Sequence, residues 1–314
     1  VLIFFKIILF GKMKIYKNLR IDKKFTNASI AIGNFDGVHL GHQKVLNEAK
    51  LKAKKSGSAF GVVTFEPVPK MFFNKRLKNH RINNLRQKVY YLEKNKVDFL
   101  IVIKFNKKFS KLSPDNFIEN ILFNKIGCKF IFVSQNFRFG KNREGGINKL
   151  KKDEKIFNYK TIVTKPLSKK TKSLSSSIIR GEISNGNINV VNEFLGRNWC
   201  IQGKVIKGRQ MGRKIGFPTC NIKIEDYVIP KLGVYSVFVK GKNFSRKGIA
   251  NIGYRPTFKG KTLLLEVNIF GLNMNLYNKD IEVYFIKFIR PEKKFKGIEQ
   301  LKVQIKKDIK KAKK

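Results

Sequence analysis

Between residues 29 and 140 the chain alternates between two kinds of hydrophobic pattern. Short continuous apolar runs, "SIAIGNF", "AFGVVTFEP", "VDFLIVIKF" and "CKFIFVSQNF", read as strands buried on both faces. Between them, apolar residues recur three and four apart. In "GHQKVLNEAKLKAKKSG", His42, Val45, Leu46, Ala49 and Ala53 fall on one helical face, and Gly57 ends it. In "SPDNFIENILFNKIG", Ser113 is placed to cap a helix that Pro114 opens. Strand and helix in alternation predict a parallel sheet with helices on both faces.

From about Trp199 the texture changes. "WCIQGKVIKG", "GVYSVFVKG", "KGIANIG", "LLLEVNIF" and "IEVYFIKFIR" are short strands separated by Gly and Asn turns, which predicts an antiparallel sheet or barrel. A last stretch has Ile298, Leu301, Ile305 and Ile309 at helical spacing with a basic outer face. The boundary between the two textures falls near residues 186 to 198, and no internal repeat is visible.

Composition refines this picture. The 314 residues suggest two domains, and 42% apolar residues suffice for their cores. The charge is extreme, 68 Lys+Arg against 21 Asp+Glu, formally +47. The lysines are spread over the chain, which fits a background bias in composition better than a nucleic-acid face. No RNP-type aromatic motif or helix-turn-helix accompanies them, and no nucleic-acid partner is expected. On either reading phosphate-bearing ligands are favoured by the field. Cys128, Cys200 and Cys220 lie far apart with no C-x-x-C pair, as in a protein of a reducing compartment without a zinc cluster. The opening "VLIFFKIILF" is too short to span a bilayer and lacks the flanks of a signal peptide. Residues 1–12 read as an upstream extension before Met13, with a membrane anchor as the weaker alternative. No membrane partner is expected.

Two stretches carry candidate chemistry. In "GNFDGVHLGHQ" a strand ends at Gly33 and a helix begins near His39 and His42. Helix N–H groups, the positive end of the helix dipole and glycines that admit close approach favour an anion there. The two histidines by themselves leave open a core-and-surface pair or a phosphate site. A metal pair would need a third ligand, and only His80 remains. In "GRQMGRKIGFPTCNI" a glycine-rich turn ends in Pro-Thr-x-Asn, and Thr and Asn oxygens can ligate Mg²⁺. The Walker A ending is missing, and composition alone favours a plain hairpin turn.

The order of motifs goes further. "IGNFDGVHLGHQ" resembles the nucleotidyltransferase signature of the bacterial bifunctional riboflavin kinase/FAD synthetase family. "TFEP", "NFRFGKNREG" and "SSSIIR" follow in that family's order, then "GRKIGFPTCN", "GVYSVFV", "GIANIGYRPTF", "LEVNIF" and "FIRPEKKF". The resemblance covers residues 13–314. It implies an α/β Rossmann-like nucleotidyltransferase domain over 13–186 and an all-β six-stranded antiparallel barrel with a C-terminal helix over 187–314. It also implies a cytoplasmic enzyme that phosphorylates riboflavin to FMN with ATP, then adenylylates FMN to FAD with release of pyrophosphate. In the first domain it assigns ATP contacts to Gly33, Asn34, Phe35, Asp36, Gly41, Asn136, Ser175 and Ser176, with His39, His42 and Arg180 on the phosphates. In the second it assigns Gly212, Gly216, Phe217 and Pro218 to ATP, Thr219 and Asn221 to Mg²⁺, Glu266 to the general base and Arg290 to the flavin side. Cys220 would only fill space.

The chain departs from the family pattern at four places. Val68 stands where the family usually has His, and Ile178 where it usually has Arg. Each lost charged hydrogen bond could cost about 1–3 kcal/mol of binding. A kinase with a decayed adenylyltransferase domain is therefore the alternative expectation. Asn268 and Gly271 replace His and Asp downstream of Glu266, a change expected to tune the flavin pocket.

Overall fold

The computed structural model describes residues 13–169, 172–208, 210–257 and 260–313; residues 1–12 lie outside them. The chain packs as two compact units. One comprises the described chain through Leu77 together with Leu85–Ser175, and the other Lys78–Asn84 together with Ser176–Lys314.

The first unit is built on six strands, all parallel: β1 (Lys14–Tyr16), β2 (Ser29–Ile32), β3 (Phe60–Glu66), β4 (Phe99–Lys104), β5 (Phe130–Ser134) and β6 (Lys160–Thr164), in the order β1-β4-β3-β2-β5-β6. The uninterrupted apolar runs follow from burial on both faces. Ile30, Ile32, Val63, Phe65, Ile101 and Val133 join one core cluster. Their alternates Ala31, Val62, Leu100 and Phe132 join the other. The Leu40–Lys55 helix covers the second face with Val45, Leu46, Ala49 and Ala53 buried, as the periodicity predicts. The other face is covered by a helix in which Ser113 Oγ accepts the Asn116 N–H at 3.2 Å. That helix widens to π geometry over Phe117–Ile126, an irregularity its apolar spacing does not announce. β1 and β6 were not legible as strands; they are short outer strands with partly polar sequences. A small antiparallel hairpin, β7 (Ser168–Lys169) and β8 (Lys172–Ser173), follows.

The second unit is a closed antiparallel barrel of β9 (Cys200–Ile206), β10 (Cys220–Lys223), β11 (Gly233–Lys240), β12 (Ser245–Thr257), β13 (Gly260–Ile269) and β14 (Asp280–Pro291), in the order β10-β13-β12-β11-β14-β9. Val267, Ala250 and Tyr235 share a register row and fill its interior, each at most 1% exposed. The C-terminal helix Ile298–Lys313 lies on the outer face, where Ala312 and Ile309 meet Val234, Ile249 and Ile289. The strap Lys78–Asn84, which interrupts the first unit in sequence, is stitched into this unit. His80 and Arg81 N–H donate to Asp226 O at 2.9 and 2.8 Å, and the buried Trp199 indole donates to Ile82 O at 2.9 Å.

Candidate active sites

In the first unit, β2 is flanked by β3 on one side and β5 on the other, so the chain reverses its winding direction there. Loops beyond the carboxyl ends of two such strands diverge and leave a crevice. The loop after β2 holds Gly33 to His39, and the turn after β5 holds the exposed Asn136. The β2 loop is tightly wound, with Phe35, Gly37 and Val38 at φ of 46°, 88° and 39°. Positive φ at a β-branched valine is a strained conformation, held here by the Gln43 Nε2–H bond to Val38 O (2.9 Å) and the Val38 N–H bond to Phe35 O (3.3 Å).

His39 caps the helix. Its Nδ1 accepts the His42 backbone N–H at 3.3 Å, so the ring proton resides on Nε2. The two imidazoles stack with centroids 3.7 Å apart, and Phe35, 1% exposed, backs His42 at 5.2 Å. Phe35 thus belongs to the floor of the loop and to the apolar core. Gly41 leaves room for the stack, because a Cβ there would sit 3.1 Å from two His39 ring atoms, tighter than ordinary contact. Asp36 is buried at the same turn. Beneath the loop, Thr64 Oγ1 donates to Asn34 O at 3.2 Å, and the buried Lys88 ammonium lies 3.5 Å from that hydroxyl. Lys88 was missed by sequence reasoning, since one lysine among so many carries no signal. An aromatic cluster of Phe72, Phe73 and Phe105 stands beyond β3 and β4, with ring centroids 5.3–5.7 Å apart. Val68 is buried as the cap of the short Pro69–Phe73 helix. Ser175 closes the first unit, whereas Ser176, Ile178 and Arg180 lie on the Ser176–Asn185 helix of the second.

In the second unit, antiparallel register sets Asn221 opposite Glu266, Glu266 opposite Asn251, Asn251 opposite Val234, and Val234 opposite Arg290. Directly opposed residues share a face, and this row alternates with the inward Leu265 and Val267. The row therefore points outward. It faces a cavity of about 810 Å³ that is also lined by Gly212, Phe217 and Thr219. Gly212 lets the turn close, because a Cβ there would run into Phe217 O. Gly216 has φ +88°, and Pro218 O accepts the Asn268 amide at 2.7 Å. Cys220 is half-buried with its thiol pushed up to about 12 by burial, which fits filling rather than chemistry.

Glu266 is held by Arg255, whose Nε and Nη2 donate to its Oε2 at 3.1 and 2.6 Å; Nη1 donates to Glu292 at 3.2 Å. Sequence reasoning quoted Arg255 and Glu292 within motifs without giving either a role. Arg290 lines the same cavity and binds the buried Asp308 of the C-terminal helix through Nε and Nη2, at 2.9 and 2.7 Å to Oδ2. Among the described residues no group of three or more His, Cys, Asp or Glu could hold a metal. The Thr219 hydroxyl and Asn221 amide oxygen beside Glu266 are hard donors of the type Mg²⁺ prefers, too few for a full shell but sufficient alongside phosphate and water.

The comparisons with known proteins follow the same division. A family model described as FAD synthetase matches residues 21–178, and one described as riboflavin kinase matches residues 195–314. Proteins named bifunctional riboflavin kinase/FMN adenylyltransferase are similar over most of the chain. The one from Buchnera aphidicola (Schizaphis graminum) is 40% identical, covering 95% of this chain and 97% of its own. That from Haemophilus influenzae is 40% identical over 91% and 93%, and that from Listeria monocytogenes 38% over 90% and 90%. A crystal structure described as a macrolide-efflux protein from Streptococcus pneumoniae superposes with a TM-score of 0.84 at 28% identity, covering 96% of this chain and 99% of that one. Its description speaks of transport, but among the described residues here no helix is long and apolar enough to cross a membrane. Two enzyme models in tandem, and relatives alike across nearly the full length, decide the matter: this chain belongs to the bifunctional riboflavin kinase/FMN adenylyltransferase family.

Proposed function

We propose that this chain converts riboflavin to FMN on its second unit and FMN to FAD on its first, with ATP as the donor in both steps. The observation that carries this reading is the row that sets Asn221 beside Glu266 in one cavity with Thr219 and Gly212. A carboxylate beside two oxygen donors and a glycine turn suits a hydroxyl attacking a nucleotide's terminal phosphate.

In the kinase step the ribityl 5′-hydroxyl attacks the γ-phosphorus, Glu266 takes its proton, and ADP leaves. Gly212, Gly216, Phe217 and Pro218 would form the nucleotide turn. Thr219 and Asn221 would hold Mg²⁺, which when bound supplies charge neutralisation at the phosphates. Arg290, braced by Asp308, would flank the flavin.

In the adenylyl step the FMN phosphate is itself the nucleophile, attacking the α-phosphorus as pyrophosphate leaves. The protein's task reduces to positioning and charge stabilisation. His39, with its proton on Nε2, and His42 would donate to phosphate oxygens over the helix N-terminus. Gly33, Asn34, Asp36, Gly41, Asn136 and Ser175 would cradle the nucleotide on the first unit. The aromatic cluster of Phe72, Phe73 and Phe105 offers flat apolar surface for a flavin ring. Cysteines that form no disulfide and a sequence with no C-x-x-C pair support a reducing compartment such as the cytoplasm.

The test is a paired assay of purified protein with MgATP, giving riboflavin to one tube and FMN to the other and separating the flavins by chromatography. FAD in both tubes is expected. FMN from riboflavin with no FAD in either tube would confine the activity to the kinase and overturn the adenylyl half of the reading.

A further inference from the structure

Beneath the β2 loop of the first unit lies a cation sealed from solvent. Lys88, on the Leu85–Lys94 helix, is 1% exposed. Among the described residues it is the only buried lysine, in a chain with 68 Lys+Arg. Its Nζ lies 3.5 Å from Oγ1 of Thr64, which is itself fully buried on β3. Thr64 Oγ1 in turn donates to Asn34 O at 3.2 Å. An ammonium carries three donors and no acceptor. The single Thr64 hydroxyl proton therefore cannot point at Lys88 and is left to the Asn34 carbonyl. A hydroxyl that accepts from a cation is also the stronger donor.

The Asn34 carbonyl belongs to the peptide plane that enters the loop. The next residue, Phe35, is the first with positive φ, at 46°, and Gly37 and Val38 follow at 88° and 39°. Strained backbone of this kind persists only where its surroundings hold it. At the exit, Gln43 Nε2 donates to Val38 O at 2.9 Å. At the entry, the hold is the Thr64 hydroxyl. In a trans peptide the carbonyl and the following N–H point in opposite directions, so fixing Asn34 O also fixes which way the Phe35 N–H faces.

We propose that Lys88 and Thr64 form a buried clamp that sets the conformation of the β2 loop for binding ATP, with Lys88 acting through Thr64. Both are positioning residues. The proposal rests on the adenylyl reading of the first unit. A loop of backbone amides holds a phosphate only while its peptide planes stay aimed, and a small misplacement at such a site is costly.

The test is steady-state FAD formation from FMN and MgATP on the full chain, with FMN formation from riboflavin as the control on the same preparations. Thr64→Val removes the hydroxyl and should raise the KM for ATP by up to about tenfold, the worth of one hydrogen bond, with a smaller change in kcat and unaltered FMN formation. Thr64→Ser restores the hydroxyl and should return the KM close to wild type. Lys88→Met removes the ammonium and should raise the same KM. Lys88→Gln, whose amide oxygen can accept the Thr64 proton, should do likewise, and it stands in if Lys88→Met does not fold. The signature is the double variant: because Lys88 acts through Thr64, adding either Lys88 change to Thr64→Val should raise the KM no further. A lysine that only packs the core would lower the melting temperature and leave the KM for ATP unmoved, or would add its full effect in the double variant. Either result overturns the clamp, as does a wild-type KM in Thr64→Val. Wild-type protein that forms FMN from riboflavin but no FAD from FMN overturns the adenylyl reading, and the clamp with it.

Discussion

The first unit presents its candidate phosphate site with backbone amides and two stacked imidazoles, whereas the second presents two carboxylates and a guanidinium on the outside of a barrel. The folds account for part of this difference. A parallel sheet with a winding reversal exposes loop backbone and a helix N-terminus at one edge. A closed barrel has no such edge, so its site is made from the outward half of the strand alternation and is walled by the C-terminal helix and by residues 210–217. The chemistry proposed for each unit accounts for the rest. A phosphate nucleophile arrives charged and needs no base, while a hydroxyl must give up a proton and needs one, the role proposed for Glu266.

The comparison breaks most sharply under reciprocal substitution. Glu266→Gln removes the proposed proton acceptor and should lower FMN formation by roughly 10²–10⁴, while FAD formation from supplied FMN stays near wild type. His42→Ala removes a proposed phosphate donor and should lower FAD formation by about 10²–10³, while FMN formation persists. Initial rates of the two half-reactions on one preparation decide it. Loss of both activities from either change, in a folded protein, would mean that the chemistries are not divided between the units.

How much of this was legible in the sequence follows from the kind of signal each part leaves. Strands buried on both faces, such as Ile30 to Ile32 and Phe99 to Ile103, must be apolar throughout, so the inner sheet could be read directly. β1 and β6 are outer strands paired on one side only, and their mixed sequences resemble loops. The His39 and His42 spacing was visible, but the cap that fixes the His39 tautomer depends on backbone geometry. Glu266 was singled out through its motif. Arg255 and Glu292 were not assigned, because they lie 11 and 26 positions from Glu266, and only the register of β12 against β13 and the end of β14 joins them. The strap at Lys78–Asn84 left no trace at all, since its attachments, among them backbone groups, the Asn84 amide and the Arg81–Asp226 ion pair, come from residues that read as an ordinary loop.

A smaller effect sharpens the role of the imidazole stack. Gly41→Ala replaces a helical glycine with the best helix former, which favours the fold by up to about 1 kcal/mol. The added methyl would lie 3.1 Å from the His39 ring, tighter than ordinary contact, so the ring must give way by a few tenths of an ångström. Displacements of about 1 Å at a transfer site can cost roughly 10²-fold. A loss of about tenfold in FAD formation is therefore expected, with a raised KM for ATP, an unchanged or raised Tm and unaltered FMN formation. Wild-type adenylylation in this variant would show that the stack is packing and not a phosphate platform.

The smallest effect tests the strap. Asn84 follows the first unit's strands β1 to β3 in sequence, yet its amide donates to the Tyr227 hydroxyl at 2.9 Å within the second unit, and that hydroxyl accepts the Gln202 N–H at 3.1 Å. Asn84→Ala removes the amide and should destabilise the second unit by about 0.5–1.5 kcal/mol, the net worth of a neutral hydrogen bond. Trp199 is the chain's one tryptophan and is buried in that unit, so its fluorescence during urea unfolding reports on the second unit alone. A lower midpoint with an unchanged slope is expected, because the change removes a contact without altering the surface exposed on unfolding. An unmoved midpoint would mean that the strap rests on a barrel already stable without it. A lowered one would mean that residues inserted between two first-unit helices contribute to the stability of the kinase fold, so that a cut at the sequence boundary near residue 186 would separate the barrel from part of its own support.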